Sequence, residues 1–417
     1  MDKLVIKGPC QLNGDIRISK AKNAYLPIIA GVLLTEEKIT FNEVPRLRDI
    51  GTLHKLLSHL GVEIEEVDND RFTYQCNQLK TEEAPYELVK TMRASICVLG
   101  PLLGRFKRAR VSLPGGCAIG TRPIDLHLKN LEKMGAVINI NGGYVEAETT
   151  GLKGNKLVLD FPSVGATENL LMAAVLAEGE TIIENAALEP EVSDLANFLV
   201  KMGAKIEGID SKVLKITGVK KLKGTEYTAI GDRIEAATYI ISGLITGGTL
   251  KVSGFNPQHL DSVLEKLKRM GAEMEIGSDY VKVFPSKIVG RDIDTAPYPG
   301  FPTDVQAQIL ALATQAEGSS IITEHIFENR FMHVPELQRM GADITVKGNS
   351  AIVKGKRHLK GAPVMCTDLR ASAALVLAGF CAEGKTEVRR VYHLDRGYEK
   401  LDEKFKNCQG QVYRERE

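Results

Sequence analysis

The chain of 417 residues has almost no net charge, no closely spaced cysteine pair and no long apolar run, and each absence removes a class of function. Its 54 lysines and arginines against 53 aspartates and glutamates leave +1, so a broad nucleic-acid or anionic-membrane surface is excluded and any positive potential must be local. The longest apolar stretches, 25–34 and 371–382, are far short of the roughly 20 residues of a membrane span. Seven cysteines, at 10, 76, 97, 117, 366, 381 and 408, form no C-x-x-C pair and are odd in number. That fits a reducing cytoplasm without a disulfide framework or zinc site. The opening MDKLVIKGPC reads as neither a secretory signal nor a transit peptide. There is no H-E-x-x-H, no P-loop and no G-x-G-x-x-G between a strand and a helix, so no metal or cofactor is expected.

What the chain does have is a repeat. A helix-turn-strand phrase reads HKLLSHLGVEIEEV at 54–67, LKNLEKMGAVININ at 128–141 and ANFLVKMGAKIEGI at 196–209, then returns at 264–277 and 335–348. The marker glycines Gly61, Gly135, Gly203, Gly271 and Gly341 are spaced 74, 68, 68 and 70 apart. Each stands where an amphipathic helix should stop and a strand begin. Upstream of each phrase lies a second helix pattern rich in Ala and Gly, such as MRASICVLGPLLG and IEAATYIISGLITGG. Helices this apolar are expected to be buried on most sides. Six units divide as three plus three, giving an α/β fold of two domains, each wrapping sheets around central helices. The domains are expected at 21–229 and at 1–20 with 230–417, the opening strands completing the last unit of the second.

Polar residues at the starts of the buried helices are candidate ligand contacts: Lys22 and Asn23, Arg93, Thr167, Asp232 and Arg233, Asp304, and Arg370. Helix N-termini carry free N–H groups and partial positive charge. Thr303-Asp304-Val305-Gln306 fits a capping box and Asp368 fits a cap. Lys22, Arg93 and Arg370 oppose the helix dipole, which an anionic ligand would compensate. Arg330 and Arg396 follow strands at matching repeat positions. His333 and His325 read as structural, while His127 and His393 are candidate supporting groups. The loop LPGGCAIGTRPID at 113–125 sets Cys117 among Gly115, Gly116 and Gly120, with Arg122 close behind. A thiol on a glycine-rich, anion-binding loop is a candidate acid or nucleophile.

With these motifs assembled, the chain resembles, end to end, the UDP-N-acetylglucosamine 1-carboxyvinyltransferases, a family of enolpyruvyl transferases. The resemblance rests on AKNAYLP (21–27), TMRAS (91–95), LPGGCAIGTRPIDLH (113–127), PSVGAT (162–167), EPEV (189–192), GFPTDVQAQ (300–308), ENRFMHVPEL (328–337), DLRAS (368–372) and DRGYE (395–399). It implies a two-domain inside-out α/β barrel of six repeats, with the active site in the cleft between domains. It implies transfer of the enolpyruvyl group of phosphoenolpyruvate to the sugar 3-hydroxyl, with release of phosphate, as the first committed step of peptidoglycan synthesis. By resemblance, Lys22, Arg122 and Arg396 hold the phosphate with Asn23 nearby, and Arg330 and Arg370 hold the carboxylate. Cys117 is the general acid, able to form a covalent adduct and to be alkylated by fosfomycin, and Asp304 is the general base or orienter of the sugar hydroxyl. The UDP-sugar is held by Arg93, by Arg122, Pro123, Ile124, Asp125 and Leu126, by Ser163, Val164 and Gly165, and by Asp304 and Ile326. Closure of the 113–122 loop would exclude water. Phe161-Pro162 stand where some members place a lysine, and Arg48 where a lysine is common. The partners implied are these two small molecules, with no nucleic acid and no membrane insertion.

Two other readings stand beside this one. The sister 5-enolpyruvylshikimate-3-phosphate synthases share fold and cosubstrate but lack the cysteine loop and the UDP-sugar motifs. A non-catalytic UDP-sugar-binding paralogue would have no need of Cys117, Asp304 and Arg396, which are all present.

Overall fold

A computed structural model describes residues 2–90, 92–113 and 124–416. Among them are six four-stranded sheets, and each is built alike: one parallel pair and two antiparallel pairs. In the sheet of 156–217, for example, Lys156–Val158 runs parallel to Glu180–Glu184, which pairs antiparallel with Val213–Thr217, and that strand with Lys205–Glu207. The alternation of LKVS at 250–253, buried then half-buried, shows why these segments form strands: one face packs on helices, the other meets water.

The chain divides into two compact units, with boundaries between Ser19 and Lys20 and between Ile230 and Gly231. One unit holds the described residues between Lys20 and Ile230. The other holds the first 19 residues and those from Gly231 onward. Each has its own hydrophobic core, and the two cores share no residue. In each unit the small-residue helices lie inside and the sheets outside, an α/β barrel turned inside out. The helix Arg233–Thr246 has 13 of its 14 residues buried, so its polar groups need partners within the protein. Glu235 finds them in Lys404 Nζ (2.6 Å) and the Ser19 N–H (2.8 Å). Small residues make such packing possible: a Cβ on Gly243 would stand 2.6 Å from Val283 Cγ2.

The marker glycines behave as their positions imply. Gly61, Gly135, Gly203, Gly271 and Gly341 all have φ between +94° and +114°, the left-handed turn that ends each outer helix. In the last unit the equivalent turn after Leu401–Asn407 is made by Gln409, at φ +69°.

Two expectations are corrected. The stretch MRASICVLGPLLG is not one α-helix: Arg93–Val98 is a 3-10 helix, Leu99–Pro101 a single α-turn and Leu102–Phe106 a π-helix. Pro101 removes a ladder donor there. Gly100 presses so closely on the neighbouring helix that a Cβ would lie 2.2 Å from the Asn169 carbonyl oxygen. The opening strands also do not go together. Asp2–Gly8 enters the last sheet between Gly384–Arg389 and Val412–Arg416, whereas Gly14–Arg17 pairs with Leu250–Ser253 of another sheet. No described helix is long and apolar enough to cross a membrane.

Candidate active site

In the unit of residues 20–230, Lys22 opens the helix Lys22–Ala30 and is buried at 7% exposure. Its ammonium lies 3.0 Å from the carboxylate of Asp49, itself buried near the start of the outer helix Arg48–Leu60. The cation that opposes the helix dipole is thus compensated within the protein. Asp49 went unnoticed in the sequence because its partner is 27 residues away and an acid in a first turn reads as a dipole contact. Asn23 follows in the same helix, half-buried. Arg93 begins its 3-10 helix, also half-buried.

Ile124 and Asp125 bring the chain into the helix Asp125–Lys133, with Ile124 buried, Asp125 exposed and Leu126 between the two. Ser163 caps the helix Val164–Ala174, accepting from the Ala166 N–H at 3.3 Å, so Val164 and Gly165 form its first turn. Phe161, just before this loop, is 46% exposed. His127 packs beside Gly165, and burial followed by the Arg93 charge pushes its pKa down to about 4. Cys117, Arg122 and Pro123 lie outside the described residues.

In the other unit, Asp304 is the meeting point. One of its carboxylate oxygens accepts from Arg330 Nη2 at 2.9 Å, the other from Arg370 Nη2 at 3.1 Å and Nε at 3.3 Å. Both arginines are nearly inaccessible, while the Asp304 side chain is 28% exposed. Two buried guanidiniums therefore converge on one partly open carboxylate. Arg370 also donates to the Tyr398 hydroxyl at 3.3 Å. Burial works against its charge, but Tyr398, Asp304 and Asp232 together hold the guanidinium above its ordinary pKa. Gln308 ties the cluster to the core, donating to Thr238 Oγ1 and the Asp304 carbonyl, each at 3.0 Å. Arg330 Nη1 has no hydrogen-bond partner among the described residues. Arg396 ends the turn Val391–Arg396, half-buried.

The capping box expected at 303–306 does not form. Thr303 turns away from the helix and donates to Glu324 Oε2 at 2.8 Å, while Asp304 is taken by the arginines. Glu324, absent from the sequence reading, is 3% exposed and braces the region. Its Oε1 accepts from Thr295 Oγ1 (2.9 Å) and the Ile326 and Phe327 N–H groups (2.8 and 3.2 Å). One carboxylate thus links the turn bearing Asp304 to the loop bearing Ile326. Asp368 does cap its helix, accepting from the Arg370 and Ala371 N–H groups at 2.8 and 3.0 Å. His333 is fully buried and neutral, with burial lowering its pKa to about 4, while His325 is an exposed partner of Asp294.

The chain matches the family described as EPSP synthase (3-phosphoshikimate 1-carboxyvinyltransferase) over residues 6–405. It is 54% identical to the UDP-N-acetylglucosamine 1-carboxyvinyltransferase of Koribacter versatilis over 99% of this chain and 96% of the relative. To the protein of the same name from Nitratidesulfovibrio vulgaris it is 55% identical over the full length of both. Among solved structures, the enolpyruvyl transferase NikO from Streptomyces tendae superposes with a TM-score of 0.89 at 25% identity, covering 99% of this chain and 98% of the other. The EPSP synthase of Acinetobacter baumannii superposes at 0.77 over both full chains with 19% identity, a likeness of fold.

Proposed function

The chain belongs to the EPSP synthase family of enolpyruvyl transferases, and from that premise we propose that it transfers the enolpyruvyl group of phosphoenolpyruvate to the 3-hydroxyl of UDP-N-acetylglucosamine, releasing phosphate. The observation that carries this acceptor is identity of 54–55%, end to end, with relatives named for it.

In this reading Arg330 and Arg370 grip the carboxylate of phosphoenolpyruvate, and Lys22, Asn23, Arg122 and Arg396 its phosphate. What supports the first pair is the clamp already formed: two buried guanidiniums reach a carboxylate at 2.9 and 3.1 Å. Asp304 held by both is a poor base. A substrate carboxylate that shares the arginines would free one Asp304 oxygen to accept the proton of the sugar hydroxyl. The sugar oxygen then bonds to C2 of phosphoenolpyruvate while C3 takes a proton from Cys117. Loss of a C3 proton with departure of phosphate restores the double bond. Arg93, Ile124, Asp125, Leu126, Ser163, Val164, Gly165 and Ile326, with Arg122 and Pro123, hold the UDP-sugar. The reaction would stand at the entry to peptidoglycan synthesis in the cytoplasm, and fosfomycin would block it by alkylating Cys117.

The test is phosphate release from phosphoenolpyruvate with UDP-N-acetylglucosamine or shikimate 3-phosphate as acceptor. Release that needs the UDP-sugar and disappears in Cys117→Ala is the expected result. Release only with shikimate 3-phosphate would reassign the chain to the sister activity. Tight UDP-sugar binding without release would make it a non-catalytic paralogue.

A further inference from the structure

Three elements of one unit meet at Asn169: its own helix Val164–Ala174, the broken segment 93–106, and the helix Asp125–Lys133. Asn169 is fully buried. Its Oδ1 accepts from the Gly100 N–H at 2.6 Å, and its Nδ2 donates to the Ile96 carbonyl at 3.0 Å. A backbone N–H only donates and a carbonyl only accepts, so the amide has one permitted orientation; a flip would set donor against donor and acceptor against acceptor. The second Nδ2 hydrogen is then available to His127 Nδ1, 3.0 Å away. That nitrogen must present its lone pair, which leaves the ring proton on Nε2.

The other side of the ring faces the loop assigned above to the UDP-sugar. A Cβ at Gly165 would stand 3.5 Å from His127 Cε1 and 3.6 Å from Nε2, which places that ring edge directly beside the glycine, although the residue as a whole is only 5% exposed. The edge lies against the first turn of the helix Val164–Ala174, whose N-terminal N–H groups favour an anion.

We propose that Asn169 is a positioning residue of the UDP-sugar subsite: it locks His127 in the Nε2–H tautomer, so that a neutral donor faces the diphosphate beside the helix N-terminus. This rests on the function proposed above. His127 is neutral, its pKa held down by burial and then by the Arg93 charge, and a neutral ring is the state in which a single tautomer can be set.

The experiment is ¹⁵N NMR of histidine-labelled full-length protein, with the His127 signals assigned by their loss in His127→Gln. The expected spectrum has a protonated Nε2 and an unprotonated Nδ1. In Asn169→Asp, read at a pH where its carboxylate is ionised and so cannot donate, the proton moves to Nδ1 or both nitrogens carry one. KM for UDP-N-acetylglucosamine then rises about tenfold or more, the weight of one hydrogen bond to a charged group, with kcat within about twofold. In a His127→Gln background, whose amide donates without a tautomer, Asn169→Asp leaves KM unchanged. A protonated Nδ1 in the unmodified protein overturns the proposal, as does an equal KM effect in both backgrounds. The NMR arm reads the tautomer whatever the acceptor, so it stays decisive if the chain proves to use a substrate other than the UDP-sugar.

Discussion

Asp194 shows how one buried group sets a pH dependence. It is 4% exposed, and burial pushes its pKa from 3.8 to about 6, against the pull of hydrogen bonds from Tyr227 (2.7 Å) and the Ile230 N–H (3.1 Å). The folded state therefore holds a proton that the unfolded state has released, and this contribution to stability is present below about pH 4 and lost as pH rises through about 6. Asp194→Asn cannot titrate. Urea unfolding of both proteins from about pH 4 to pH 7 should show the native chain losing on the order of 3 kcal/mol relative to the variant. Parallel curves would rule this out. Other groups in that window, including His54, His127 and His333, titrate in both proteins and cancel in the difference. At this scale the charged side chains of the site were legible, because Lys22, Arg93 and Arg370 stand where a helix should not want a cation. Their supports were not. Asp49, Glu324 and Asn169 act on partners 27, 21 and 42 residues away, and nothing in the local pattern marks those pairs.

Elements in this protein are ended by backbone conformation more than by side-chain caps. Gly203 has φ +102° and open space where a Cβ would go, so Gly203→Ala carries only the left-handed backbone cost, about 1–2 kcal/mol. Gln409 makes the matching turn at φ +69° with a side chain present, so Gln409→Gly should gain about 0.5–1 kcal/mol after the added freedom of the unfolded chain is counted. Thermal or denaturant unfolding of the two variants checks both signs. These turns could be read from the sequence because helix period, glycine and strand period follow one another in a few residues. The segment 93–106 was less legible, since most of its composition suits a helix, and the close approach of Gly100 to Asn169, which acts with Pro101 to break it, is not visible in the sequence.

The described residues form two hydrophobic cores, one built from residues between 21 and 229 and one from residues 4–18 and 234–412. Calorimetry should resolve two transitions, with Gly203→Ala lowering one and Gln409→Gly raising the other. A single transition moved by both variants would show one cooperative unit instead. The sequence alone determined the class of the protein: six repeats, helices too apolar to face water, a cysteine loop, and cations at helix starts. Those features are local or periodic, so hydrophobic burial and dipole electrostatics read directly onto residue order. Tertiary structure decided what each cation and amide faces. It set Arg330 and Arg370 on one carboxylate, drew Thr303 to Glu324 rather than to its helix, and held the Asn169 amide in a single orientation. Such pairings depend on which segments burial brings within about 3 Å of each other, and a hydrogen bond at that range has no signature in sequence spacing.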